Sequence, residues 1–196
     1  MSKTVEFYFD LGSPTAYLAH KRLAQLSRQY GLKVRYMPIL LGGVFKATGN
    51  ASPVSIPAKG KYMLEHDLPR FAQRYGVPLN FNPYFPINTL NLMRGAIAAG
   101  RLDCMDAYVD CAYDAIWVEQ KDMGDPAVVS QVLSEAGLDA DGLIALSQDP
   151  EVKAELIANT EAAVARGVFG APTLFLEGAM YFGQDRLDFI EEAIKP

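Results

Sequence analysis

Cysteine and histidine are scarce in this chain of 196 residues, which holds two of each. Cys104 and Cys111 stand seven positions apart in a helical pattern, a spacing that separates them by about 10 Å along a helix axis. Cα atoms that far apart cannot share a disulfide, so we expect two thiols packed in the core. Since His20 and His66 join no cluster of cysteines or histidines, the sequence does not predict a metal site.

An excess of positive charge and long hydrophobic runs are also missing. The formal net charge is −5, whereas a nucleic-acid binder needs a basic face, so nucleic acid is not an expected partner. No apolar run approaches the roughly 20 residues that span a bilayer. Lys3 and Glu6 interrupt the apolar residues that a signal peptide would need. We therefore expect a cytoplasmic protein without a membrane partner.

The first thirty residues predict a strand, a tight turn and a long helix. Thr4–Phe9 is rich in β-branched and aromatic residues, as strands are. Gly12 permits a turn, Ser13 is a good N-cap, and Pro14 suits the first helical position. Apolar residues at steps of three and four then continue until Gly31. Ser13 would thus lie at the positive end of a helix, where a negative charge is stabilised; a plain helix cap is the other interpretation.

The rest of the chain predicts a sheet that helices interrupt. Lys33–Leu40 has the pattern of a second strand, parallel to the first. Thr173–Leu176 and Met180–Phe182 predict a hairpin, with a last helix from about Asp185. Residues 42–57 show no period and predict an irregular loop. The predicted helices in between cover 59–75, 89–99 with Asn88 as cap and Gly100 as end, 104–118 with Asp103 as cap, 126–136, a short one from 139, and 150–166. Together these elements form a four-stranded mixed sheet with a large inserted helical block.

Five short motifs, in this order, resemble those of the 2-hydroxychromene-2-carboxylate isomerases, which are related to kappa-class glutathione transferases and to DsbA-like oxidoreductases. The motifs are Phe7-Tyr8-Phe9-Asp10 with Ser13-Pro14, Pro57–Tyr62, Asn88-Thr89, Val168–Thr173 and Phe182–Leu187. The resemblance implies an α/β, thioredoxin-like fold. In it, residues 1–40 and 167–196 form a discontinuous thioredoxin-like domain, and residues 41–166 form an inserted, mostly helical subdomain. It also implies a homodimer, glutathione as cofactor, and a place in naphthalene-type aromatic catabolism.

The resemblance also implies a glutathione site. In thioredoxin folds a Cys-x-x-Cys motif lies where this chain has Ser13-Pro14-Thr15-Ala16. A serine cannot form a disulfide, but it can donate a hydrogen bond to a thiolate. The implied glutathione-binding residues are Ser13, Asn50, Lys61, Ala171 beside a cis Pro172, Gln184, Asp185 and, more weakly, Arg186. A helix cap remains open for Asp185, and an ordinary surface charge for Lys61.

The substrate that the resemblance implies is a small aromatic carboxylate. Such a ligand needs flat apolar walls and a cation or amide for its carboxylate. Candidate walls are Phe45, Tyr113 and Trp117, and candidate polar partners are Asn88, Lys46 and Arg94. Core packing is the other interpretation for Trp117, and a helix cap is the other interpretation for Asn88.

The resemblance therefore implies a glutathione-dependent isomerase with Ser13 as its catalytic residue. It would convert 2-hydroxychromene-2-carboxylate to trans-o-hydroxybenzylidenepyruvate by reversible addition of the glutathione thiolate. Two alternatives remain open. A kappa-like transferase would consume glutathione on electrophiles, and a non-catalytic thioredoxin-fold protein would only bind it. A disulfide oxidoreductase is excluded at this motif because it has no cysteine.

Overall fold

A computed structural model describes residues 3–195, so the outermost residues of the predicted terminal segments lie outside the described range. The strands are β1 Thr4–Phe9, β2 Lys33–Pro38, β3 Thr173–Leu176 and β4 Ala179–Phe182. The first helices are α1 Pro14–Tyr30, α2 Leu41–Thr48, α3 Pro57–Tyr62, α4 Leu68–Tyr75 and α5 Leu90–Arg101. They are followed by α6 Met105–Trp117, α7 Pro126–Glu135, α8 Ala140–Ser147, α9 Pro150–Ala165 and α10 Leu187–Ile194.

The four strands form one sheet in the order β2-β1-β3-β4. β1 runs parallel to β2, with Tyr8 opposite Met37. It runs antiparallel to β3, with Tyr8 opposite Thr173. β3 and β4 form the predicted hairpin, whose turn residues Glu177 and Gly178 have positive φ angles of 51° and 86°. The predicted mixed sheet and the α/β, thioredoxin-like fold class are confirmed.

Both faces of the sheet are covered by helices. On one face, Phe7 and Phe9 of β1 are fully buried in the main core with α1. On the other face, Tyr8 packs with Phe175 of β3 and Ala163 of α9 in a second, smaller cluster. This alternation along β1 is what buries a central strand on both sides. Because α9 lies within the predicted insertion and also covers the sheet, the division into two domains stays a prediction.

Several local predictions were wrong. Helix α2, Leu41–Thr48, covers the first part of the irregular loop that was predicted over residues 42–57. Asp103 does not cap α6: it has a positive φ of 54°, and the helix begins one residue after Cys104. α5 begins after Thr89 and passes through Gly100 to Arg101.

The thiols are less deeply buried than expected. Cys104 and Cys111 are both free and only partly buried, at the edge of the main core. Burial still raises the pKa of both thiols, that of Cys111 to about 11. A thiol with a raised pKa is a weak nucleophile at neutral pH, so neither is set up for thiol chemistry.

Candidate active site

Ser13 lies in the turn that joins β1 to α1, where the sequence placed it. Its Oγ accepts a hydrogen bond from the backbone N–H of Ala16 at 3.1 Å, and Pro14 occupies the first helical position. The residue is 5% exposed. Ser13 is therefore the N-cap of α1, and its hydroxyl lies at the positive end of a helix of 17 residues.

The loop before β3 meets this turn. The Ala171–Pro172 peptide bond is cis. Ser13 Oγ donates to the carbonyl oxygen of Ala171 at 3.2 Å, and Thr15 Oγ1 donates to the same oxygen at 3.3 Å. The two hydroxyls are 3.0 Å apart. The fold thus brings together residues 13 and 171, which are 158 positions apart. It also adds Thr15, which the sequence analysis overlooked although it belongs to the Ser-Pro-Thr-Ala motif.

Asp10, directly after β1, stabilises the turn through the hydrogen bonds of its buried carboxylate. The residue is 2% exposed. Its carboxylate accepts hydrogen bonds from Gly12 N at 2.9 Å, Leu41 N at 2.9 Å and Thr89 Oγ1 at 2.7 Å. Leu41 begins α2 and Thr89 is the N-cap of α5, so one carboxylate joins three helix starts. Burial raises the pKa of this carboxyl, and the three donors oppose that rise.

A cleft of about 610 Å³ opens above the turn. It lies between the N-terminus of α1, helix α2 with the segment after it, the start of α3, the cis-proline loop and the start of the last helical segment. Its lining includes the predicted residues Ser13, Phe45, Asn50, Ala171, Pro172, Gln184 and Asp185. It also includes residues to which the sequence analysis gave no role in the site, among them Thr15, Ser52, Lys59, Met63, Phe85, Phe169 and Phe182.

The polar residues of the cleft rim are held by long-range bonds. Asn50 Nδ2 donates to the carbonyl oxygen of Phe169 at 2.8 Å, which ties the end of α2 to the cis-proline loop. Gln184 is 4% exposed, and its backbone carbonyl oxygen accepts a hydrogen bond from Tyr75 Oη at 2.6 Å. Asp185 forms an ion pair with Arg186, which itself does not line the cleft. Arg186 therefore lies beside the cleft, next to Asp185, and not in its lining.

Lys59, and not Lys61, lines the cleft. The Lys61 side chain is 70% exposed, and its Nζ lies 4.0 Å from Glu65 one turn further along. Two residues correspond to about 200° around a helix, so the two lysines project from opposite sides of α3. The structure therefore places Lys59 at the cleft and Lys61 on the outer side of α3.

Tyr113 and Trp117 are not walls of the cleft, because both are 0% exposed. Trp117 Nε1 donates to the carbonyl oxygen of Leu11 at 2.9 Å, and Tyr113 Oη donates to that of Asp10 at 3.4 Å. Both rings support the active-site turn from within the core. The aromatic and thioether side chains that line the cleft are instead Phe45, Met63, Phe85, Phe169 and Phe182.

The three predicted carboxylate partners lie elsewhere. Asn88 Oδ1 accepts from Leu90 N at 3.1 Å, as a capping side chain does, and the residue lines a separate cavity of about 240 Å³. Lys46 and Arg94 line a groove between α2, α5 and α9. None of the three is among the residues that line the cleft.

The cleft has the donors and charges that a tripeptide thiol needs. Glutathione carries two carboxylates, one ammonium group and one thiol. Lys59 and the amides of Asn50 and Gln184 can receive carboxylates, and Asp185 can receive the ammonium group. The hydroxyls of Ser13 and Thr15 lie at the helix start, where a thiolate is stabilised. Within residues 3–195, no group of three or more His, Cys, Asp or Glu side chains could hold a metal ion.

Comparison with known proteins shows the family of this chain. A family model described as the DSBA-like thioredoxin domain matches residues 4–195. The 2-hydroxychromene-2-carboxylate isomerase of Sphingobium xenophagum is 37% identical over 193 residues, which cover 97% of each chain. A solved structure of 2-hydroxychromene-2-carboxylate isomerase superposes with a TM-score of 0.88 at 35% identity, covering 97% of this chain and 94% of that one.

Glutathione S-transferase kappa 1 of Homo sapiens is less similar. It is 27% identical over 208 residues, covering 97% of this chain and 90% of that protein. In the part of the chain that the structure describes, no helix has both the length and the apolar character needed to cross a membrane. The chain belongs to the DSBA-like thioredoxin family and, within it, to the 2-hydroxychromene-2-carboxylate isomerases.

Proposed function

We propose that this protein is a glutathione-dependent 2-hydroxychromene-2-carboxylate isomerase, which forms trans-o-hydroxybenzylidenepyruvate. The observation that carries the proposal is the position of Ser13, at the start of α1 and 3.2 Å from the carbonyl oxygen of Ala171. A hydroxyl replaces the nucleophilic sulfur of a thioredoxin fold there, so the thiol must come from a bound cofactor.

We place glutathione along the cleft, with its sulfur at Ser13. Ala171 would pair its backbone with the cysteinyl unit, as a strand edge does, beside Pro172. Asp185 and Gln184 would hold the γ-glutamyl end, since a carboxylate and an amide suit an amino acid head group. Lys59 and Asn50 lie on the α2–α3 side and would hold the glycyl end. These assignments use the charges and amides of the cleft without leaving one unpaired.

Ser13 and Thr15 would keep the bound thiol ionised. An ordinary thiol has a pKa of about 8.5. A helix N-terminus stabilises an adjacent anion by up to about 2 kcal/mol, and a hydrogen bond to a charged group adds about 1.5–3 kcal/mol before desolvation is subtracted. Since one pKa unit corresponds to about 1.36 kcal/mol, these terms bring the pKa of the thiol near or below neutrality.

When bound, glutathione would supply a thiolate for reversible addition to the conjugated system of the ring-opened chromene. The chain itself supplies the hydroxyls that stabilise the sulfur. It also supplies the walls Phe45, Phe85 and Met63, which receive a flat aromatic ring beside that sulfur. Glutathione is regenerated in each turnover.

Replacing Ser13 by alanine tests the proposal. We expect kcat/KM for the isomerisation to fall by about 10²–10³, as when one anion-stabilising donor is removed. We also expect the pKa of bound glutathione, followed by thiolate absorbance, to rise. The matched control is Ser134→Ala, because Ser134 is an exposed residue of α7 that does not line the cleft. Wild-type turnover by Ser13→Ala would remove Ser13 from the mechanism.

Glutathione accounting separates the alternatives. An isomerase turns over many substrate molecules for each glutathione and leaves its concentration unchanged. A kappa-like transferase would deplete glutathione one for one, and a non-catalytic binder would give no rate enhancement. A transferase outcome is the second candidate because the human kappa relative matches 97% of this chain at 27% identity.

The two lysines of α3 give a second test. Lys59→Met is expected to raise the KM for glutathione by about threefold to fivefold, because Lys59 lines the cleft but is exposed, and an ion pair of an exposed lysine contributes up to about 1 kcal/mol. Lys61→Met is the matched control and should change it by less than about twofold, because Lys61 is exposed as well but does not line the cleft. Equal effects of the two substitutions would contradict the assignment of Lys59.

We also propose that the protein is a cytoplasmic homodimer, which sedimentation of the purified chain and cell fractionation would check.

A further inference from the structure

A second groove of about 580 Å³ lies between α2, α5 and α9. Helix α2 separates it from the active-site cleft. Leu41 and Phe45 of this helix line the cleft, whereas Gly43, Lys46 and Ala47 line the groove. The groove therefore belongs to neither the glutathione site nor the aromatic walls beside it.

The body of the groove is aliphatic. Leu40, Leu90, Leu156 and Val164 line it, and so does Ile157, which is 59% exposed although it is a large apolar residue. The polar groups at its floor are already paired, since Thr160 Oγ1 accepts from Leu40 N at 3.0 Å and donates to the carbonyl oxygen of Leu156 at 2.7 Å. Such a surface suits the apolar part of a ligand.

The charge at the groove is positive. Lys46, Arg94 and Lys153 line it together with one carboxylate, that of Glu161. Among the described residues, no carboxylate lies within 4.0 Å of any of these three cations. The hydrogen bond of Arg94 to Asn91 Oδ1 is long, at 3.4 Å. These three cations face one carboxylate across the groove, so the groove carries a positive charge and is complementary to an anion.

We propose that this groove is a second ligand site, which binds an apolar monocarboxylate. The aliphatic lining would take the hydrocarbon body, and Lys46, Arg94 and Lys153 would take the carboxylate. Arg94 and Lys153 are partly buried, so their charges are less screened by solvent than fully exposed ones. The inference uses only the groove, and it holds whether or not the reaction in the cleft is the one proposed above.

Binding is measured with 2-naphthoate as an aromatic probe and decanoate as an aliphatic one, by NMR titration of the labelled full chain. The cleft is blocked throughout with S-hexylglutathione, and each titration is repeated without it. We expect saturable binding of at least one probe, with shifts in α2 and α9 that the blocking ligand does not abolish. The probe with the higher affinity identifies an aromatic or a fatty acid as the natural type. 2-Naphthol, which has the same rings without the charge, should bind about tenfold more weakly.

The double variant Lys46→Met/Lys153→Met should weaken binding of the preferred probe by about tenfold or more, because it removes two of the three cations. Lys33→Met, an exposed lysine on β2, is the matched control and should stay within about twofold. The proposal is overturned if neither probe binds, if S-hexylglutathione displaces the bound probe, or if the double variant binds as the wild type does. It is also overturned if the double variant dissociates an oligomer in sedimentation, since the groove would then be a subunit contact.

Discussion

Asp10→Ala should destabilise the protein by about 3–5 kcal/mol, and Asp10→Asn by only about 1–2 kcal/mol. The carboxylate accepts from Gly12 N, Leu41 N and Thr89 Oγ1. Alanine leaves all three donors without their acceptor, and each unsatisfied buried donor costs about 1–3 kcal/mol. The lower part of that range applies to the two backbone N–H groups, because their residues are only partly buried.

Asparagine changes one bond rather than three. Its amide oxygen can replace Oδ1, which accepts from both Gly12 and Thr89. Its NH₂ group then faces Leu41 N, where Oδ2 had accepted, so one bond at the start of α2 is lost. The removal of a buried carboxylate, whose pKa burial raises, offsets part of that loss.

Urea unfolding followed by tryptophan fluorescence measures both variants. Trp117 is the single tryptophan, and its indole N–H donates to Leu11 next to the altered residue. Asp141→Asn, an exposed residue in the first turn of α8, is the control and should stay within about 0.5 kcal/mol. If asparagine proved as damaging as alanine, or alanine cost less than about 1 kcal/mol, the shared capping role of Asp10 would be refuted.

Two further predictions concern the helical region. Gly95→Ala should lower stability by about 2–3 kcal/mol in thermal unfolding, because the new Cβ would lie 2.1 Å from the buried hydroxyl of Tyr108; the loss should shrink in a Tyr108→Phe background. Asp110→Asn should cost about 1 kcal/mol at pH 7, a figure kept small because the side chain is 56% exposed. The hydrogen bonds from His20 and Lys21 hold the pKa of Asp110 well below its usual range, so this stabilisation is present above the unfolded pKa of about 3.9 and is lost as the pH falls through the lower folded value. The two proteins should therefore converge in stability below about pH 4, and a difference independent of pH would contradict the reasoning.

Local signals explain why the sequence predicted the start of the chain and the sheet. A β-rich run, a turn glycine and a Ser-Pro helix start follow one another within Thr4–Pro14, and all act over a few residues. Helix α2 escaped prediction because its cap is not local. Leu40, its N-cap, makes no side-chain capping bond, and the acceptor for Leu41 N is Asp10, 31 residues earlier. Only the folded chain shows that acceptor.

The errors at the site have a related cause. A helical pattern shows which residues share a side of a helix, but not which side meets the ligand. Lys59 and Lys61 are two positions apart and therefore project from opposite sides of α3. The spacing alone does not show which of the two sides faces the ligand. Trp117 is an aromatic residue of the kind that lines substrate sites, yet its indole N–H donates to the carbonyl oxygen of Leu11 inside the core. The sequence shows which charged and aromatic residues are present, whereas the direction in which each side chain points depends on tertiary packing.

The two interpretations of Ser13, a helix cap and a catalytic hydroxyl, are compatible because a hydroxyl can accept and donate at the same time. As an acceptor, its oxygen holds Ala16 N at 3.1 Å and starts the helix. As a donor, its hydrogen points to the carbonyl oxygen of Ala171 at 3.2 Å. We infer that this hydrogen turns to an anion in the cleft without loss of the cap. The Ala171 carbonyl then keeps the hydrogen bond from Thr15 and has its second lone pair available for a peptide N–H of the ligand. Alanine at position 13 would remove both bonds, so its stability loss, about 1 kcal/mol for the cap alone, must be measured beside its activity.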